Sequence, residues 1–99
     1  MRTILLLALL PACTPALPYV QDADRAYARE TFAEMTEDLG QSRLLYVQKC
    51  GGCHDLVLPQ NVPQTEWPRI VDVMALKMTL PDEEKAKILR YVLTMSRRL

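Results

Sequence analysis

Five consecutive residues, Cys50-Gly51-Gly52-Cys53-His54, restrict this 99-residue chain more than anything else in it. In C-x-x-C-H, two intervening residues let both sulfurs meet neighbouring vinyl groups of a porphyrin, and the next residue falls beneath the iron. Gly51 and Gly52 put no bulk against a porphyrin edge. Other uses of the cysteine pair fit less well. A structural zinc site needs four ligands, whereas outside the motif the chain has one further cysteine, Cys13, and no histidine. A thioredoxin-type C-x-x-C follows a strand in a βαβ pattern, which this sequence lacks. A plain disulfide between Cys50 and Cys53 leaves His54 without a role. The motif therefore implies one covalently attached haem c, bonded to Cys50 and Cys53, with His54 as the first axial ligand of the iron.

So short a chain holds a single domain and buries only a thin core. A covalently held haem supplies the large apolar insert that a small scaffold needs as a staple. The N-terminus carries a second signal. Met1-Arg2 is a short positive region, Ile4 to Leu10 an apolar run, and Ala12 a small residue. That is the pattern of a secretory signal, well short of the ~20 residues a membrane-spanning helix needs. Leu10-Pro11-Ala12-Cys13 also resembles the lipobox of bacterial lipoproteins. Residues 1–12 are then the signal peptide and Cys13 the lipidated first residue of the mature chain, which places the protein in the periplasm on a membrane anchor. Ordinary cleavage nearby, with Cys13 lost or left as an incidental thiol, is the alternative. Export agrees with haem c attachment, which takes place outside the cytoplasm. Basic and acidic residues balance at 12 each, with no basic stripe for a nucleic acid to bind.

Residues 13–20 read as a tether, made stiff by Pro15 and Pro18. The domain is expected over 21–99 and begins with an extra helix at about 21–39, where Ala28, Phe32, Met35 and Leu39 form one apolar stripe. Gly40 suits its stop. That stripe packs on the domain or, alternatively, docks a partner. A second helix covers Ser42 to Lys49, and Pro59, Asn61 and Pro63 break the chain after the motif. Thr65 is placed to cap a third helix with Pro68 in its first turn, its stripe being Trp67, Val71, Met74 and Met78. Pro81-Asp82-Glu83-Glu84 opens a last helix, with Ile88, Tyr91, Val92 and Met95 inward and Arg97-Arg98 at its negative end. No stretch alternates as a strand does, so the expected class is all-α.

Ser42-Arg43-Leu44-Leu45-Tyr46-Val47-Gln48-Lys49-Cys50, running into the motif, resembles the opening of class I cytochromes c, in which a small residue and then an aromatic precede the haem cysteines. Tyr46 stands where that family has its aromatic, and Ser42 where it usually has glycine. Ile88-Leu89-Arg90-Tyr91-Val92 resembles the family's terminal helix, whose aromatic packs across the first. His54-Asp55-Leu56, Pro59, Trp67 and Met74 look like a compact monohaem subgroup with a tryptophan seven residues before its methionine. The resemblance covers Ser42 to Leu99 and implies a small helical domain wrapped around one haem.

His54 is the only histidine, so the chain by itself cannot supply bis-histidine ligation. Methionine, lysine or an open site remain for the sixth position. In the family, the ligand lies several residues before the apolar residue that opens the last helix, here Leu80. That implies Met74, with Met78 as second candidate and Met35 and Met95 in the core. The resemblance also implies that the Pro59 carbonyl, or else that of Pro63, accepts the free N–H of His54. Trp67 then either donates to a haem propionate or packs on the porphyrin. The implied function is non-enzymatic: single-electron transfer between a redox donor and an acceptor, by a monomer or a subunit of a redox complex. A gas sensor or peroxidase-like centre with an open sixth position is the alternative, as is a dedicated cytochrome subunit of a dehydrogenase.

Overall fold

The computed structural model describes residues 17–51 and 56–97. The signal peptide at 1–12, Cys13, Cys53, His54 and Arg98 lie outside the described residues. Four helices occur in order: α1 (Asp22–Thr31), α2 (Leu39–Cys50), α3 (Trp67–Met78) and α4 (Asp82–Met95), with two short 3₁₀ turns, Pro59–Asn61 and Gln64–Glu66, between α2 and α3. Among the described residues there is no strand, so the all-α class holds. No helix among them is long and apolar enough to cross a membrane.

The first helix is shorter than its apolar periodicity implies. It ends at Thr31, and Phe32 leaves the helix with φ −115° and ψ 83°. Thr31 and Phe32 are both modest helix formers, and the irregular stretch beyond them is held by charge. Arg90 of α4 donates to Glu37 through Nε (2.6 Å) and Nη2 (2.9 Å), and Arg25 Nε donates to Asp38 at 3.3 Å. Asp38, extended at φ −83° and ψ 128°, becomes the cap of α2, whose first residue is Leu39. Gly40, expected as a stop, is the second residue of α2 instead. The stripe still reaches its destination: Ala28 and Leu39 are fully buried, and Phe32 and Met35 pack on the core from an irregular backbone.

The third helix also starts later than expected. Thr65 lies within the 3₁₀ turn, and α3 begins at Trp67 with Pro68 in its first turn. Gln64 Nε2 fixes this turn by donating to the Leu93 carbonyl of α4 (2.8 Å) and to the Tyr27 hydroxyl of α1 (3.1 Å). Thr79 ends α3 in the left-handed region, φ 53°. Helix α4 opens as the sequence implies, with Pro81 extended ahead of Asp82, Glu83 and Glu84.

Helix α4 is the common wall of the core. It packs most extensively on α2, then on α3 and α1. Ile88, Tyr91 and Val92 are fully buried in it. At its C-terminal end, Arg97 donates to the Thr94 carbonyl (2.7 Å) and pairs at 2.7 Å with Asp24 of α1, a carboxylate that is almost wholly buried.

The Glu37–Arg90 pair makes stability depend on pH. Burial pulls the Glu37 carboxyl upward, but the Arg90 hydrogen bond, local backbone donors and the Arg90 charge outweigh it and leave its pKa below the ordinary 4.5. A carboxylate depressed on folding adds stability that is complete above its unfolded value and is lost as pH falls through its folded one. Urea unfolding at stepped pH should therefore show this loss below about 4.5. In Arg90→Met the same acid limb should be flatter; an identical slope would separate the pair from the acid response.

Candidate functional site

Cys50 is the last residue of α2 and sits half-buried against the core cluster. Burial pushes its thiol up to about 11, so at neutral pH it is protonated and has none of the thiolate character of a catalytic or redox-active cysteine. Gly51 closes the helix by donating its N–H to the Val47 carbonyl at 3.0 Å. A Cβ on Gly51 would stand 2.7 Å from that oxygen and 3.5 Å from Leu56 Cδ1, so this position has no room for a side chain. The sequence suggested only a porphyrin edge as the reason for glycine here. The helix end itself imposes one.

Two tyrosines and a tryptophan build the floor beside Cys50. The Tyr46 ring, one turn ahead of Cys50, meets Trp67 edge-on at 6.2 Å between centroids and Tyr91 at 5.8 Å with a 41° tilt. All three rings are fully buried. The Tyr46 hydroxyl donates to the Val57 carbonyl, tying α2 to the chain just beyond the motif. Burial, followed by the influence of Cys50 and Tyr91, pushes the Tyr46 phenol far above its ordinary value, and burial takes Tyr91 up to about 12. Both therefore remain neutral hydrogen-bond donors over the whole physiological range. The family resemblance implied that Tyr46 and Tyr91 pack together; nothing in the sequence announced the hydroxyl bond to Val57.

Pro59 is buried in the first 3₁₀ turn, and its carbonyl accepts the Trp67 indole N–H at 3.2 Å. Trp67 thus spends its one donor on Pro59, and its fully buried ring packs edge-on against Tyr46. The same oxygen also accepts the Val62 N–H at 3.3 Å, so both of its lone pairs are engaged, and its implied partner, His54, lies outside the described residues.

The methionines separate into two groups. Among the described residues packed on the core cluster are Met35 and Met95, as expected, but neither Met74 nor Met78. Those two are half-buried on α3, beside the buried Val71 and Ala75. Both thioethers therefore stand at a flank of α3 that the core does not cover, with Val73 and Leu76 also exposed on the same helix. A thiol at the end of α2, half-covered thioethers on α3 and a buried aromatic cluster joining the two helices are of the chemical types that can hold a covalently attached haem. No family model matches the chain, and no curated protein or solved structure does so either.

Tyr46→Phe keeps every ring contact and removes only the donor to Val57. It should cost on the order of 1 kcal/mol in urea unfolding, the net worth of one hydrogen bond. Tyr46→Ala, which opens the aromatic floor, should cost about 3–5 kcal/mol. Equal effects of the two variants would place the contribution of Tyr46 in its hydroxyl alone.

Proposed function

We propose that this chain is a monohaem c-type cytochrome that carries single electrons between redox proteins in the periplasm, anchored there by a lipid on Cys13. One observation carries the proposal: C-x-x-C-H begins at the last residue of a helix whose aromatic floor is completed by α3 and α4, while α3 holds two methionines aside from the core. Bound there, haem c supplies reversible one-electron iron chemistry. Cys50 and Cys53 hold the group through thioether bonds, so that it stays with the chain through every cycle. His54 and Met74, with Met78 as the second candidate, would ligate its iron and so leave substrate no place to bind. A methionine opposite a histidine favours the reduced state and raises the potential. The buried Tyr46, Trp67 and Tyr91 would supply a dry, rigid surround, which limits the reorganisation that accompanies a change of charge. A proline carbonyl, that of Pro59 once one of its two present donors gives way or else that of Pro63, would accept the free N–H of His54 and so set the ring orientation and the basicity of that ligand.

Denatured mature protein should retain haem on a gel and in its mass spectrum, and a haem-free mass would end the proposal. Met74→Ala should abolish the far-red methionine-to-iron absorption band of the oxidised protein, lower the reduction potential and let carbon monoxide bind. Met78→Ala should keep the band and cost less than the roughly 2–5 kcal/mol of a fully buried methionine, because this site is half-covered. The opposite result would make Met78 the ligand. Wild-type protein that lacks the band and binds carbon monoxide would favour the sensor or peroxidase alternative.

Two acyl chains on Cys13 would give stable membrane attachment where a single chain does not. Cys13→Ser should therefore move the exported protein from the membrane fraction to the soluble one. A wild-type protein found soluble from the outset would exclude the anchor.

A further inference from the structure

The stretch 13–20, expected as a tether, is fixed to the domain over half its length. Arg43 of α2 donates Nε to the Pro18 carbonyl at 3.0 Å and Nη2 to the Leu17 carbonyl at 3.1 Å. Its guanidinium also lies over the Tyr19 ring, 4.0 Å from the centroid. From α4, the Tyr91 hydroxyl donates to the same Pro18 carbonyl at 3.0 Å. The side chains of Leu17 and Val20 pack on the core cluster. Pro18 suits the place, since it has no N–H to satisfy and its φ is already restricted. Residues Leu17 to Val20 are thus a strap sewn across α2 and α4.

We propose that this strap orients the domain on a lipid bilayer, with the outer face of α2 against the headgroups. The inference rests on the lipid anchor at Cys13 proposed above. Only Thr14, Pro15 and Ala16 separate Cys13 from the strap. Fully extended, that length of chain reaches at most about 14 Å. Acyl chains at Cys13 would therefore hold the folded body at the membrane surface and allow it little swing. The surface beside the strap has the composition for this contact. Tyr19 is 70% exposed with Arg43 against its ring, and Leu44 and Val47 are 49% and 39% exposed on α2. An aromatic, a cation and aliphatic side chains together are what settles at the headgroup level. Cys50 lies two turns beyond Arg43 on the same helix, about 10 Å along its axis. The haem-attachment end of α2 would then ride close to the bilayer, which suits a donor or acceptor that is itself membrane-bound.

The test uses full-length, lipidated, haem-loaded protein on vesicles of phosphatidylethanolamine and phosphatidylglycerol. A single cysteine is introduced, either Leu44→Cys on α2 or Leu76→Cys on the exposed side of α3, and its reaction rate with a charged maleimide is measured. The native cysteines are already capped by lipid and haem. Leu44→Cys should react several-fold more slowly on vesicles than in the soluble Cys13→Ser background, and Leu76→Cys at the same rate in both. Arg43→Gln with Tyr91→Phe should restore the fast rate while the protein stays bound. A Gly-Ser-Gly-Ser-Gly-Ser insert between Ala16 and Leu17 leaves the strap contacts intact and should restore it too. Vesicle binding with no difference between the two positions overturns the orientation but not the anchor. Protection that survives both the released strap and the lengthened tether overturns the strap as its cause. Failure of the wild-type protein to bind vesicles overturns the anchor, and the orientation with it.

Discussion

The contact of Tyr46 with Trp67 and Tyr91 joins three of the four helices in one place, and the remaining parts are arranged around it. Each ring removes about 150–250 Å² from water, worth roughly 4–6 kcal/mol gross at 25 cal per Å². Against a net stability on the order of 5–15 kcal/mol for a domain, no other cluster among the described residues has comparable weight. Because α2, α3 and α4 each contribute one ring, the same contact sets the relation between the end of α2, where Cys50 sits, and the start of α3, four residues short of Val71. The motif inherits its position from this junction.

The N-terminal third is held differently. Helix α1 buries Ala28 but little else that is apolar, and it is secured by the pairing of Asp24 with Arg97 and by Gln64 reaching the Tyr27 hydroxyl. The irregular stretch after it depends on Glu37 with Arg90, and the strap before it on Arg43 and Tyr91. These are directional contacts made by α2, the 3₁₀ turn and α4 toward a segment with too little apolar surface to pack alone. A half-buried ion pair fixes geometry more than it adds net stability, so this part of the molecule is specified by polar fit and the rest by volume.

The division explains what could be read from the residues. Helices α3 and α4 announce themselves through proline, first-turn acids and apolar spacing, and Trp67, Val71, Ile88, Tyr91 and Val92 are buried as the spacing implies. Tyr46 and Tyr91 could be paired in advance. The continuation of α1 through Leu39 could not be corrected from periodicity, because Phe32, Met35 and Leu39 do face the core; the irregular stretch that replaces it is held by Arg90, 53 residues beyond Glu37. The strap was equally hidden, since two prolines near an N-terminus look the same whether or not an arginine elsewhere clasps their carbonyls. At the site, Cys50 and its neighbouring floor follow from the sequence, whereas the engagement of Trp67 with Pro59 and the closed space at Gly51 arise only once α2 and the 3₁₀ turn have met.

The state of Cys50 bears on the order of events in making the molecule. In the folded chain before haem is joined, its thiol is half-buried and burial raises its pKa to about 11, which makes it a poorer nucleophile. Joining a vinyl group to that sulfur is easier while it is fully exposed, as it is before α2 docks. On the proposed function, attachment and folding therefore compete for the same residue, and attachment is favoured by coming first. A chain that packed Tyr46 onto Trp67 and Tyr91 too early would slow its own maturation. Modest stability before the haem is joined is then an advantage, keeping α2 loose until the sulfur has reacted.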